Sequence, residues 1–252
     1  YGDALAFRQK SGVGDLWYSV GSAMPESGWT VCFWINPDKI RKGDRHRSIF
    51  RTNFGWNSGN VYMQFDRWGK LNASYLDKEN RHRGLDVSES SFPPGAWTHA
   101  ALVYDGAGMR LFINGNEAVY NRNSGGEVGA PQREIEIGAM TYSVSDQLDG
   151  GIDEFKIFNR PLSRGEIAEA MNSAPGGKRL DPFLYVPFEG RIDPRSGASF
   201  QSAETIFTDG KSGKGIKMSR HGYDRKAVAR LTEVEGMSSK AQSMLFYFAP
   251  DW

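Results

Sequence analysis

Eight short stretches dense in aromatic and β-branched residues succeed one another along this chain, punctuated by Gly, Asn, Asp and Pro. They are "GWTVCFWIN" (28–36), "SIFRTNF" (48–54), "VYMQFD" (61–66), "KLNASYL" (70–76), "WTHAALVYD" (97–105), "RLFINGNEAVY" (110–120), "EIEIGAM" (134–140) and "IDEFKIFN" (152–159). Alternation of apolar and polar residues over so few positions fits half-buried strands and leaves no room for helices. A succession of such strands buries its apolar faces by stacking two sheets, so the fold class expected is all-β, a two-sheet antiparallel jelly-roll sandwich. Within 110–120, Asn114-Gly115 between alternating apolar residues predicts a hairpin closed by a type I′ turn. A single helix is expected at "SRGEIAEAMN" (163–172), where Ser163 caps and Glu166 completes a capping box.

The chain has 252 residues, room for one large β-domain or two ordinary ones. No apolar run approaches the roughly 20 residues of a membrane-spanning helix, so membrane insertion by a helix is excluded. Thirty-one basic residues against thirty acidic ones leave a net charge of +1. No global field then draws in nucleic acid, and an ionic partner must be met by a local patch. The single cysteine, Cys32, rules out an intrachain disulfide framework. Leu245 stands at the matching position of a later stretch, which reads Cys32 as a buried small apolar residue. The start at Tyr1, with no signal-like segment, reads as a mature or excised fragment.

After the helix, "SAPGGKR" breaks the pattern, and 174–179 is a linker by composition. Beyond it the chain repeats itself. "GDALAF" (2–7) returns as "GKGIKM" (213–218), and "WTVCFWINPDK" (29–39) as "QSMLFYFAPDW" (242–252), both displaced by about 211–213 residues. "FLYVPFEG" (183–190) reads as a first strand with no counterpart before Tyr1. Residues 1–173 are therefore expected to form one sandwich lacking its first strand. Residues 180–252 form either the opening third of a second repeat or strands completing the first or a neighbouring sandwich, by packing or strand exchange with another chain.

"GDALAF", "GWTVCFWINPD", "GAWTHAALVYDGAGMRLFINGN", "EIEIGAM" and "LDGGIDEFKIFNRPLSRGEI" resemble, in order and spacing, the signature segments of laminin G-like, pentraxin-like domains of the concanavalin A-like lectin/glucanase superfamily. The resemblance covers about 1–172. It implies a concanavalin A-like jelly roll that binds glycans or protein surfaces in an extracellular, cell-surface or periplasmic setting, as one module of a larger adhesion or recognition protein. Read from the residues themselves, Trp97 is expected to wedge between the sheets, His99 to be a satisfied structural histidine rather than a ligand, and Asp153 or Glu154 to accept backbone N–H groups at a corner. Two departures matter. Some pentraxin-like members pair a cysteine in the "TVC" strand with one in the strand that here begins at Trp97, where this chain has Ala100 and Ala101. Those members also carry many acidic calcium ligands before the last strands, whereas "MTYSVSDQLDGG" offers only Asp146 and Asp149. With Asp153 these are the candidate Ca2+ ligands, a small set for an ion that takes six to eight oxygens.

Catalysis finds little support. Sandwich glycoside hydrolases of this superfamily use Glu-x-Asp-x-x-Glu, with one carboxylate as nucleophile and another as acid. Here Glu134 and Glu136 alternate onto one face, but Ala139 stands where the acid/base would be, so two exposed surface glutamates and no enzyme are expected. The remaining chemistry lies in two basic segments. "RKGDRHRSIFR" (41–51) holds five basic residues against one acid and "KENRHR" (78–83) three against one. If the flanking loops are neighbours, Arg45, His46, Arg47, Arg81, His82 and Arg83 gather beside Trp56 and Trp68. Guanidinium forks then grip carboxylate or sulfate while indoles stack on sugar rings. The bland reading of the same residues is a pair of solvated hairpin loops. Two other functions stay open on sequence alone: an accessory or catalytic sandwich of a carbohydrate-active enzyme, and a structural subunit of a surface layer or fibre.

Overall fold

The computed structural model describes residues 3–7, 16–19, 27–40, 42–43, 45–52, 59–129, 134–138, 148–172, 180, 182, 184–186, 199–202, 205–209 and 214–218. Chain order runs β1 (Asp3–Phe7), β2 (Leu16–Ser19), β3 (Trp29–Pro37), β4 (Arg47–Arg51), β5 (Val61–Phe65), β6 (Leu71–Leu76), β7 (His82–Val87) and β8 (Thr98–Tyr104). It continues through β9 (Met109–Ile113), β10 (Asn116–Asn121), β11 (Glu134–Ile137), β12 (Gly150–Phe158), the helix α1 (Arg164–Asn172), β13 (Leu184–Val186), β14 (Ser199–Ser202), β15 (Thr205–Asp209) and β16 (Lys214–Met218). The first sheet orders them β10-β9-β8-β3-β12-β1-β15-β16, with β13 also on β12. The second runs β14-β2-β11-β4-β5-β6-β7. This is the two-sheet sandwich expected from the alternation.

Period-2 patterning decides which side chains meet. Trp29, Val31, Phe33 and Ile35 of β3 face Val61, Met63 and Phe65 of β5 within one core cluster. Phe33, Phe50 and Phe155 form its centre, with ring centroids 5.7–6.1 Å apart. Each buried Phe contributes about 1.5–3 kcal/mol. Asn114 (φ 48) and Gly115 (φ 78) take the two left-handed positions of a type I′ turn between β9 and β10, as the sequence predicts. The turn also clamps β8, because His99 and Asn114 exchange hydrogen bonds of 2.9 Å.

The helix forms where its capping signals place it. Ser163 Oγ accepts from the Glu166 N–H at 3.3 Å, and the Ser163 N–H donates to Glu166 Oε2 at 2.8 Å. The Arg160 guanidinium and the Ser163 donors hold the Glu166 carboxyl down at about 2. One helix face, Ile167 and Ala170, closes over Cys32, Ala101, Val103 and Phe112 on the outside of the first sheet. Cys32 is buried and unbridged, and burial pushes its thiol up to about 11, so it packs as a small apolar residue.

Beyond the helix, the described strands add to both sheets. β13 takes the half of the β12 edge at Phe155–Ile157, while β1 takes the other half at Gly150–Ile152. β14 pairs with β2, β15 pairs antiparallel with β1, and β16 runs parallel to β1 with Ala6 opposite Lys217. Two of the stretches that repeat in sequence therefore lie side by side. The 242–252 copy and the 174–179 linker are outside the described residues.

Two expectations fail. Trp97 is only half-buried and precedes β8, and among the described residues the tryptophan fully enclosed between the sheets is Trp29, 5.5 Å from the Tyr104 ring. The parity of β3 turns Trp29 inward. His99 is buried, but its Nδ1 has no hydrogen-bond partner, so it is not a satisfied histidine. Burial, together with the Lys156 ammonium, pushes its pKa down to about 3. An unfolded histidine titrates near 6.5. His99 is therefore neutral in the fold while the unfolded chain takes up a proton below that value. Its contribution is intact above about pH 6.5 and is lost as pH falls, by about 1.4 kcal/mol per unit. Urea unfolding of the wild type should show about 2 kcal/mol less stability from this group at pH 5 than at pH 8. His99→Leu should flatten that dependence; an equal acid loss in both proteins counts against it.

Candidate functional site

The second sheet turns one face to the core, and its opposite face carries polar side chains that are themselves buried, Glu136, Arg51, Tyr62, Gln64 and Ser74 among them. Register aligns Glu136 opposite Arg51, Arg51 opposite Tyr62, Tyr62 opposite Ser74, and Ser74 opposite Gly84. One row of side chains thus crosses β11, β4, β5, β6 and β7. Gly84 is required, since a Cβ there would collide with Ser74 Oγ and the Ala73 carbonyl. Glu136 is 1% exposed with Arg51 Nε 3.9 Å away, which corrects the expectation of an exposed surface glutamate. Glu134 shares the strand, but its side chain, like Ala139, is outside the described residues.

The two Arg-His-Arg motifs do not gather. β4, β5 and β6 form an antiparallel meander, so the segment entering β4 lies at the end where β5 leaves, with Arg47 opposite Phe65. The β6–β7 hairpin lies at the other end, with Leu76 opposite His82. An odd number of strands between two segments puts them at opposite ends of a sheet. Yet both histidines lean onto the same face of β5: His46 Nδ1 meets Gln64 Nε2 at 3.1 Å and His82 Nδ1 meets Tyr62 Oη at 2.9 Å. The motifs flank one polar strip instead of forming one patch. His82 and Arg83 belong to β7, a strand absent from the sequence reading.

At the hairpin end the arginines are engaged. Asp77, 2% exposed, accepts the N–H groups of Glu79 (3.0 Å) and Arg81 (2.9 Å) on Oδ1 and the Nε groups of Arg81 (2.9 Å) and Arg83 (3.0 Å) on Oδ2. Burial works to raise its pKa, but the Arg81 backbone N–H and the two guanidiniums outweigh it and hold the carboxyl well below the usual carboxylate range. Arg81 also pairs with Glu79 at 2.7 Å. Arg81 and Arg83 therefore help build the hairpin through Asp77, with the Arg81 side chain 60% exposed.

The other end is open. Trp68 is 62% exposed, the one exposed large hydrophobic side chain among the described residues. Asp66 fixes its turn, accepting from the N–H groups of Trp68 (2.9 Å) and Lys70 (2.8 Å), while the Gly69 N–H bonds the Asp66 carbonyl at 3.0 Å. Arg67 lies over the indole, its guanidinium carbon 4.7 Å from the ring centre. The Gly43 N–H donates to the Arg67 carbonyl at 2.9 Å, tying the 42–46 segment to this turn. Arg45 is exposed and Arg47 is nearly buried, its Nη1 on the His46 carbonyl at 2.9 Å. Lys42 pairs with Glu89 at 2.5 Å. Of the sequence candidates, Arg45, His46, Arg47 and Trp68 thus share one end with Arg67 and Lys70, which the reading missed. Trp56 is outside the described residues.

Of the calcium candidates, Asp149 and Asp153 have separate partners. Asp149 lies 3.5 Å from Lys39 Nζ, and Asp153, fully buried, accepts the Glu154 N–H at 2.8 Å, the corner role expected of it. Four residues of extended chain place their Cα atoms about 13 Å apart. Asp146 is outside the described residues, among which no three His, Cys, Asp or Glu side chains could hold a metal ion together.

Residues 14–168, more than half of the chain, match the family model described as the concanavalin A-like lectin/glucanases superfamily. No curated protein matches the sequence. The fold is similar to that of the native heptameric SAP-like pentraxin from Limulus polyphemus, at a TM-score of 0.53 and 14% identity, over 86% of this chain and 94% of that one. It is equally similar, at 0.53 and 14%, to a Bacteroides ovatus protein described as carbohydrate-binding, over 83% of this chain and 60% of that one. The receptor-binding domain of botulinum neurotoxin D gives 0.48 at 22% identity over 58% of this chain, which spans 37% of that domain's length. The sequence match, carried on a two-sheet sandwich, shows that this chain belongs to the concanavalin A-like lectin/glucanases superfamily.

Proposed function

We propose that this sandwich is a non-catalytic recognition module for an acidic glycan, working outside the cytoplasm as part of a larger protein. The observation that carries the reading is Trp68, an exposed indole on a turn pinned by Asp66, with Arg67 over its ring. An aromatic plane left in water and held still suits stacking on a sugar ring. Arg45, Arg67 and Lys70 around it supply charge for carboxylate or sulfate groups. Gln64 and Tyr62, both buried, hold His46 and His82 in place along β5. A fold shared with a protein described as carbohydrate-binding supports the choice of ligand class. Against catalysis stand Ala139 and the burial of Glu136 beside Arg51.

The test is an array of neutral, uronate and sulfated glycans, with binding repeated across salt. Exposed ionic contacts are screened over about 8 Å at physiological salt and about 3 Å at 1 M, so retention on acidic glycans should fall by about tenfold or more across that range. Binding confined to neutral glycans, or indifferent to salt, counts against the acidic ligand. Release of reducing ends from a β-glucan, lost in Glu134→Gln, overturns the non-catalytic reading.

A further inference from the structure

The Trp68 turn carries a carboxylate brought to it from elsewhere in the chain. Glu89 opens a short helical turn, Glu89–Ser91, in the connection from β7 to β8. Ser88 Oγ accepts the Ser90 N–H at 3.4 Å, and the Phe92 N–H closes on the Glu89 carbonyl at 2.9 Å. Phe92, fully buried, sets its ring 5.8 Å from that of Phe65, the last residue of β5, which anchors the turn beside the β5–β6 hairpin. A Cβ at Gly69, the residue after Trp68, would collide with Glu89 Oε2 and stand 3.2 Å from Lys42 Cε. Lys42 Nζ pairs with the other oxygen, Glu89 Oε1, at 2.5 Å.

An exposed ion pair adds little to folding, and these side chains are 62% (Lys42) and 35% (Glu89) exposed. The effect of the pair falls instead on what the turn can hold. Arg45, Arg67 and Lys70 are exposed at this end. On charge alone they rank acidic glycans by density, the most heavily sulfated first. Glu89 opposes that ranking in two ways. It neutralises Lys42, which would otherwise be a further exposed cation here, and it sets a fixed negative charge against the residue next to the stacking indole.

We propose that Glu89 is the specificity determinant of this site, favouring uronate glycans whose carboxylates are separated by neutral sugars and turning away densely sulfated chains. The inference rests on the acidic-glycan reading of the same turn. A sugar on Trp68 with a neutral neighbour brings its carboxylate to the arginines and no anion to Glu89. A chain with sulfate on each ring cannot avoid the like charge, which acts over about 8 Å at physiological salt and so reaches the sugar beside the one stacked. A repulsive group built into an attractive site separates ligands that the attraction alone would rank by charge.

The test measures retention of the full chain on immobilised hyaluronan, where a uronate alternates with a neutral sugar, and on dextran sulfate, sulfated on nearly every ring. Glu89→Gln frees Lys42 and removes the repulsion, so retention on dextran sulfate should rise by about threefold or more, while that on hyaluronan changes by less than about twofold. Lys42→Gln leaves the carboxylate unopposed and should shift the preference the other way, weakening retention on dextran sulfate more than on hyaluronan. The variant carrying both changes should fall between the two. If the pair merely braces the turn, both single variants lose retention on both polymers, and the proposal is overturned. Retention of the wild type on both polymers, with their ratio unaltered in Glu89→Gln, sinks this inference and leaves the acidic-glycan reading standing. Failure of the wild type to hold either polymer removes that reading, and this inference with it.

Discussion

Ending the chain at residue 173 should lower its melting temperature by roughly 10 °C or more, or leave it aggregated, because four strands that cover open edges are removed. β1 loses β15 and β16, β2 loses β14, and β12 loses β13. The cut also removes Tyr185 from Glu154 and Lys156, and a buried carboxylate deprived of a hydrogen-bond donor costs about 1–3 kcal/mol by itself. At the 2–4 °C per kcal/mol that applies to chains of this size, the lost donor and the bared edges together reach the stated fall. Thermal unfolding of 1–173 beside the full chain checks it. Equal stability would show that 180–252 is an appended segment and not part of the working sandwich.

Arg51→Leu should destabilise the protein by about 3–5 kcal/mol, since it leaves Glu136 buried beside an apolar chain. Arg51→Leu with Glu136→Leu should recover most of that loss, because neither charge then remains. The urea midpoints of the two single variants and the double one close the cycle. A loss under about 1 kcal/mol for Arg51→Leu would mean that the arginine does not hold the carboxylate. Glu136 would then be a stronger candidate for chemistry, and the non-catalytic reading would weaken.

Strands such as Val61–Phe65 could be read from the sequence because apolar residues recur at every second position, Val61, Met63 and Phe65, and these join the core. Asn114-Gly115 and Ser163 with Glu166 were equally plain, since a turn or a cap is decided by a few adjacent residues. β7 escaped because "HRGLDV" buries only Leu85 and is otherwise polar, like a loop. The same polarity singled out Arg81 and Arg83 as ligand contacts, and their partner in the fold, Asp77, stands just outside the motif. Counting strands would have corrected their placement: three strands separate the two basic segments, so they cannot be neighbours. Long-range register was not legible at all. Alternation gave the face of Glu136, but nothing local shows that Arg51, far earlier in the chain, stands opposite it. Trp97 and Trp29 are a similar case, two tryptophans in strand-like contexts that only sheet stacking tells apart.

The account rests most heavily on the Trp68 end of the second sheet, and retention on a sulfated or uronate polysaccharide tests it directly. Trp68→Ala, at an exposed position where folding should be untouched, is expected to lose retention by about tenfold or more, and Arg45→Ser with Arg67→Ser by a similar factor. Arg81→Ser with Arg83→Ser should retain like the wild type at the opposite end, although Asp77 loses its guanidinium partners. Full retention by Trp68→Ala, or loss confined to the Arg81 and Arg83 variant, would contradict the assignment.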